Sequence, residues 1–309
     1  MGFLRWLFGR QVPFEDGQEA SASVQMRPSL SGSVDGRRRL EDIPYMLPKD
    51  IEEGERLNLQ HYLLRNAIKA NYMAPLKKDV GYILDVGCGT GIWGYEMANA
   101  FPGARVFGLD LEPPQVVSLA AHVTRPPSNY HFVQGNILKG LPFPDHSFDF
   151  THQRMLVLAI PTNEWPGVIG ELCRVTRVGG WVELLELGQT LLNAGPISQE
   201  LFGYSHNFLL TRGIDSRQME NLGTWMIQVG LRQVKRHHID IPLGSWDKHA
   251  GVLLEKDILA AFKALGPILC QRLQLAPSHY ERLLAQVAGE WKKNRVLYRF
   301  YLAYGQVGH

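Results

Sequence analysis

The chain has 309 residues, 45% of them hydrophobic and 20% charged, with 32 Lys and Arg against 30 Asp and Glu for a formal net charge of +2. Length and composition suit one enzyme-sized globular unit with additions and exclude a disordered or fibrous chain. The charge is too mild to mark a nucleic-acid binder, and no dense basic face with interleaved aromatics accompanies it.

Residues 1–40 open with MGFLRWLF, pass through a Gly/Ser/Gln/Asp stretch and reach the basic RRR of 37–39, the composition of a flexible tail. The apolar cluster Phe3, Leu4, Trp6, Leu7 and Phe8 is far shorter than the roughly 20 residues that span a bilayer, and a signal-peptide core and cleavage site are missing. It reads as an apolar tail or as a weak membrane or partner anchor. Gly2 begins a myristoylation-like start, but Trp6 stands where that signal wants Ser or Thr. Cys88, Cys173 and Cys270 show no metal-ligand spacing and no disulfide pattern, so a reducing, cytoplasmic setting without a metal is expected.

From 50 to about 75 the spacing of Leu57, His61, Leu64 and Ile68 predicts an amphipathic helix. His61 on that apolar face is a hydrogen-bonded core residue or, as the family resemblance given below implies, part of a lid with Arg56 and Gln60 over a ligand; Tyr45 is a second lid candidate. Next comes ILDVGCGTG at 83–91, an apolar strand ending in Asp85 and then glycines at 87, 89 and 91. Glycine accepts positive φ and lets another molecule lie against the backbone, which a ligand-binding strand-to-helix turn requires. A second apolar run, 106–109, ends in Asp110, 25 residues after Asp85. An acid so placed closes the second strand of a doubly wound sheet and accepts hydrogen bonds from ribose hydroxyls.

An acid at the mouth of a GxGxG turn repels phosphate and favours a cation. A ligand with a ribose, no phosphate, an ammonium and a positive sulfur suits both acids, and S-adenosylmethionine is such a molecule. Further along, strands are predicted near 130–134, 147–152 and 181–186, with helices near 91–101, 114–122 and 164–177, the alternation of a parallel α/β sheet. Residues 231–241 and 296–306 supply a sixth and a seventh strand. Helical insertions at about 196–230 and 246–294 stand outside that core, where substrate choice is expected to reside. Tyr204, His206, Asn207 and Phe208 either line a site there or pack on the sheet. The RHH cluster at 236–238 reads as strand-end decoration.

With ILDVGCGTG, four segments, RVFGLDLEPPQ at 105–115, VQGNIL at 133–138, LPFPDHSFDFTHQRM at 141–155 and RVTRVGGWVELLE at 174–186, resemble the class I S-adenosylmethionine-dependent methyltransferases. YMLPKD at 45–50, RLNLQHYLLR at 56–65 and HQRM after strand four are similar to the LaeA-like, methyltransferase type 11-like branch known from fungal secondary metabolism. Two departures stand out: Asn136 where many relatives carry Asp, and Val178 where a Pro usually precedes the glycine pair. Asn can still hold the adenine amine through its side-chain carbonyl.

The resemblance implies a Rossmann-like, seven-stranded doubly wound sheet whose last strand is antiparallel, with a helical N-terminal lid and helical insertions. It implies a domain over 41–309, divided into a lid (41–78), a cofactor-binding core (79–190) and substrate-side helices with the last two strands (191–309). S-adenosylmethionine is the expected cofactor, held by Asp85, Gly87, Cys88, Gly89, Gly91, Asp110, Leu111, Asn136, Ile137 and Gln153. His152 is the candidate general base if the acceptor is a hydroxyl, against a structural hydrogen-bonding role; Gln153 and Arg154 can hold the cofactor or the acceptor. The expected function is methyl transfer to a small molecule, with a cofactor-binding regulator of little turnover as the alternative. No nucleic-acid partner and no transmembrane segment are expected.

Overall fold

The computed structural model describes Leu47, residues 50–114 and residues 126–308. The tail at 1–40, Tyr45 and the predicted helix beyond residue 114 lie outside the described residues.

Seven strands, β1 (Tyr82–Val86), β2 (Arg105–Asp110), β3 (Tyr130–Gln134), β4 (Phe148–Arg154), β5 (Thr176–Leu192), β6 (Leu231–Pro242) and β7 (Leu297–Val307), form one sheet in the order β3-β2-β1-β4-β5-β7-β6. The first five pair in parallel, and β7 runs antiparallel between β5 and β6, as the resemblance implies. Seven α-helices accompany them among the described residues: α1 (Ile51–Ile68), α2 (Ile92–Ala100), α3 (Trp165–Val175), α4 (Pro196–Leu210), α5 (Leu222–Gln228), α6 (Ala250–Leu273) and α7 (Pro277–Asn294).

The two-residue period of the strands sorts side chains between the faces. In β1, Leu84 and Val86 join the apolar layer with α3 and α5, while Ile83 joins Trp93 and Met97 of α2. Asp85 follows Ile83 onto the α2 side. In β4, His152 pairs in register with Asp85, so the two side chains meet there. A third layer gathers Leu63 and Leu64 of α1 with residues of α4, α6, α7 and the β5–β7 end of the sheet. The first helix and the late insertions thus share one core.

α1 starts where Asp50 caps it, its Oδ1 accepting the Glu53 amide at 3.0 Å, with Glu52 and Glu53 in the positive first turn. It ends before Lys69 (φ 57°), earlier than the predicted 75. The reason is tertiary: the Met73 and Ala74 amides donate to buried Glu183 of β5 at 2.8 and 2.6 Å, bonds a continuing helix would forbid. β5 is much longer than the predicted 181–186. It begins before the glycine pair, whose Gly179 takes φ 77°, and the β4 register shifts there. A Cβ at Gly180 would meet Asp149 O at 2.8 Å, so the strands approach too closely for a side chain. Among the described residues no helix is long and apolar enough to cross a membrane.

Candidate functional site

The carboxyl ends of β1, β2 and β4 open into a cleft of about 1060 Å³, including the solvent at its mouth. Asp85, Gly87, Cys88, Gly89, Asp110, Leu111, Asn136 and Ile137 line it, with Leu57 and Gln60 from α1 and Arg154, Met155 and Leu156 from the end of β4. Gly91 closes the same turn as the cap of α2. Gly87, Gly89 and Gly91 take φ of 72, 55 and 77°, and a Cβ at Gly87 would lie 2.6 Å from the Leu156 side chain. A side chain there is strained and would fill the cleft.

Asp110 does more than the ribose reading assumed. Its Oδ2 accepts the Gly89 amide at 2.9 Å and its Oδ1 accepts the Leu111 amide at 2.7 Å, so one carboxylate sets the glycine turn and the bend after β2. Carboxylate oxygens carry about four acceptor sites between them, so these two amides do not by themselves fill it. Asn136 is also occupied in part: its Oδ1 caps the short helix Ile137–Lys139 by accepting the Leu138 amide at 3.0 Å. Cys88 is buried against Gly108 and packs as a small residue.

His152 and Gln153 lie behind this wall rather than on it. His152 is 2% exposed, its Nδ1–H donates to Asp85 Oδ1 at 2.9 Å and its ring stacks on Trp93 at 3.8 Å and 5°. Burial pulls its pKa down against the raising pull of Asp85. Gln153 points to the opposite face of the sheet, where its Nε2 donates to Glu186 Oε1 at 2.9 Å. Period-two alternation carries the signal: with His152 facing Asp85, Arg154 shares its face and Gln153 does not.

Helix α1 is fastened across the cleft. Thr90 Oγ1 donates to Asn58 Oδ1 at 2.7 Å, Arg65 donates to Glu96 of α2 at 2.5 Å, and Arg154 Nη2 donates to His61 Nδ1 at 2.7 Å. The His61 Nε2 faces Glu96 Oε2 at 3.3 Å. Burial lowers the His61 pKa, and although burial alone would raise Glu96, His61, Asn71 and Arg65 hold its carboxyl down to about 2. Arg56 donates to Asp257 of α6 at 2.6 Å and to Glu53, while Gln60 Nε2 reaches Asp257 at 3.2 Å.

Sequence reading missed Glu186. It is fully buried, and its carboxylate accepts the Leu156 amide at 3.0 Å, the Val157 amide at 2.9 Å and the Gln153 side chain, clamping the loop that walls the cleft. Burial raises Glu183 and Glu186 to about 7 against the lowering pull of those amides. A raised carboxyl keeps its proton in the folded chain after the unfolded chain has lost it, so this stability is complete below about 4.5 and is lost as pH rises through about 7. The unfolding midpoint is expected to fall from about pH 5 to about pH 8, by up to about 1.4 kcal/mol per pH unit for each group. A rising midpoint in thermal denaturation over that interval contradicts this.

Two further cavities adjoin the cleft. One, of about 450 Å³ including the solvent at its mouth, shares Leu57, Gln60 and Met155 with it and reaches Arg56 and Asp257. The next, of about 520 Å³ counted in the same way, shares Val157, Leu158, Leu187, Ile258 and Ala261 with that cavity and is otherwise lined mostly by apolar residues with Ser205, Ser216 and Gln189. Of the α4 residues singled out from sequence, Phe208 packs in the core and Tyr204 donates to Glu200, whereas Phe202, Ser205 and Leu209 face the cavity. Among the described residues no group of three or more His, Cys, Asp and Glu could hold a metal.

Residues 83–180 match a family model described as a methyltransferase domain. The chain is 31% identical over 212 residues to "Methyltransferase pytC" of Aspergillus terreus, covering 66% of this chain and 62% of that one. It is 26% identical over 280 residues to "N-methyltransferase sirN" of Leptosphaeria maculans, covering 86% and 96%. "Secondary metabolism regulator laeA" of Aspergillus fumisynnematus is 34% identical over 146 residues, covering 46% and 36%.

Proposed function

We propose, from the premise that this chain belongs to the class I S-adenosylmethionine-dependent methyltransferases, that it moves a methyl group from S-adenosylmethionine to a small, largely apolar acceptor. The observation that carries this reading is the run of shared lining residues from the cleft through one cavity to the next, between α1, β5, α4 and α6. A mostly apolar hollow with few polar groups fits a small organic molecule better than a macromolecule.

The donor set suits the cofactor. Positive-φ glycines leave backbone room, Asp110 keeps acceptor capacity for a ribose diol, and Asp85 sets a carboxylate at the mouth of the turn. Leu111 and Ile137 give a flat ring apolar walls, and Asn136 offers an acceptor for its amine. When bound, S-adenosylmethionine supplies an electrophilic methyl on a sulfonium centre. The protein's part is to hold the acceptor in line and to keep water out, and α1, tied to Thr90, Glu96 and Arg154, forms the covering wall.

In this reading His152 positions Asp85 rather than taking a proton from the acceptor. A neutral amine, which needs no protein base, then suits the site, and sirN is named as an N-methyltransferase. Turnover of labelled S-adenosylmethionine against a panel of apolar amines and hydroxyl compounds tests the proposal. Ala261 lines both cavities. Ala261→Trp is expected to cut turnover more than about tenfold while S-adenosylhomocysteine affinity stays within about twofold, because the added bulk blocks only the acceptor side. Undiminished turnover removes the acceptor from this hollow. The regulator relative favours a second reading, cofactor binding without turnover; saturable binding with no methylated product from any acceptor supports it.

A further inference from the structure

We infer that Ser205 is an acceptor-binding residue in the cavity farther from the cleft, and that the acceptor is an elongated apolar molecule with an uncharged hydroxyl or carbonyl at the end remote from the methylated atom. The inference rests on the proposed methyl transfer and names the class of acceptor it takes.

The cavity of about 520 Å³ shares no lining residue with the cleft; the cavity that borders Gln60 and Asp257 lies between them and shares residues with both. Phe202, Leu209, Phe262 and Leu265 give the farther cavity apolar walls, and no charged residue lines it. A charged group is costly to bury in such surroundings, whereas a neutral oxygen is tolerated once it is hydrogen-bonded. The polar side chains that interrupt the lining are Gln189, Ser205, Ser216 and Tyr298. Three of them are engaged within the protein. Ser216 Oγ donates to Gln189 Oε1 at 3.2 Å, Gln189 Nε2 donates to the Phe202 carbonyl at 3.1 Å, and the Tyr298 hydroxyl donates to the Gly188 carbonyl at 3.0 Å.

Ser205 differs. Its Oγ is buried and meets no hydrogen-bond partner. A serine inside a helix ordinarily turns its hydroxyl to solvent or back to the carbonyl four residues earlier. Ser205 stands inside α4 and does neither. Phe202 and Leu209, one helical turn to either side of it, line the same cavity, so the helical period aims Ser205 inward with them. A buried hydroxyl without a partner is unfavourable, and a ligand oxygen that meets it removes that cost. The hydroxyl has one donor and two acceptor sites, so it can meet an alcohol or a carbonyl. An acceptor with its methylated atom in the cleft and its polar end at Ser205 would lie along Leu158, Leu187 and Ala261, which border both cavities.

The test is turnover of labelled S-adenosylmethionine by the full chain on phenylbutylamine and phenylhexylamine, each with and without a para-hydroxyl on the ring, beside calorimetric titration with S-adenosylhomocysteine. Wild type is expected to prefer the hydroxylated member of at least one pair by about tenfold or more in kcat/KM. Ser205→Ala, which removes the hydroxyl and adds no bulk, is expected to bring that preference to within about twofold by losing activity on the hydroxylated amine alone. Ser205→Thr keeps a hydroxyl and is expected to retain most of the preference. S-adenosylhomocysteine affinity within about twofold of wild type shows that each variant keeps its fold and cleft. Equal turnover of both members by wild type, or a preference that survives in Ser205→Ala, overturns the inference and leaves the proposed methyl transfer standing. Turnover of none of these amines, with S-adenosylhomocysteine bound, also overturns it and leaves methyl transfer to be decided on the wider panel. Wild type that does not bind S-adenosylhomocysteine overturns the cofactor reading and this inference with it.

Discussion

Asp110→Ala is expected to weaken S-adenosylhomocysteine binding by about 10²- to 10³-fold while the protein still folds. The carboxylate now sets the Gly89 amide at 2.9 Å and the Leu111 amide at 2.7 Å, and in the proposed complex it also accepts from the ribose. Each hydrogen bond to a charged group contributes about 1.5–3 kcal/mol, so losing the ribose bonds and loosening the turn removes about 3–4 kcal/mol of binding. The residue is only half-buried, at the end of β2 and outside the apolar layers, so its loss leaves the packed core in place. Asp110→Asn keeps one acceptor oxygen and is expected to lie between. Calorimetry paired with thermal denaturation separates the effects. Unchanged affinity in a folded Asp110→Ala protein removes the ribose role.

Glu186→Ala is expected to have the larger effect on the fold. The substitution strands the Leu156 amide, the Val157 amide and the Gln153 side-chain amide in a wall that is fully buried at Glu186 and Gln153. Each buried donor left without a partner costs about 1–3 kcal/mol, so the loss from three is about 3–9 kcal/mol, a large part of a domain's total stability. The Tm is expected to drop by about 10 °C or more. The clamped loop also carries Met155 and Leu156 of the cleft wall, so ligand affinity falls in whatever fraction remains folded. Glu186→Gln retains one acceptor oxygen but turns a second donor toward the amides, and about half the destabilisation is expected. A Glu186→Ala protein that melts within about 2 °C of wild type contradicts the clamp.

Much of the fold was legible because its signals are local. The glycine turn, the acids closing β1 and β2 and the alternation of strands with helices each sit in a few adjacent residues, and the resemblance supplied the doubly wound sheet and the antiparallel seventh strand. Tertiary bonds erased other signals. The first helix stops early because Glu183, more than a hundred residues away, takes the amides of Met73 and Ala74. The strand-five glycine pair reads as a turn, yet it lies inside β5 as a register shift.

The site was legible in composition and less so in depth. Asp85, Cys88, Asp110, Leu111, Asn136, Ile137 and the glycine turn come together around one cleft. His152 and Gln153 belong to the same strand end, but sequence shows neither that Trp93 and Asp85 enclose one nor that Glu186 captures the other. Strand parity singles out Arg154 over Gln153 once one neighbour's direction is known. Glu186 carries no motif at all; only the folded loop reveals three donors converging on it.

Titration of the purified protein with S-adenosylhomocysteine by calorimetry, beside the Asp110→Ala variant, bears most directly on the site. One saturable binding event for the wild type, weakened about 100-fold or more in the variant, is the expected result. No saturable heat from wild-type protein with a cooperative unfolding transition would contradict the cofactor assignment on which the proposed methyl transfer depends.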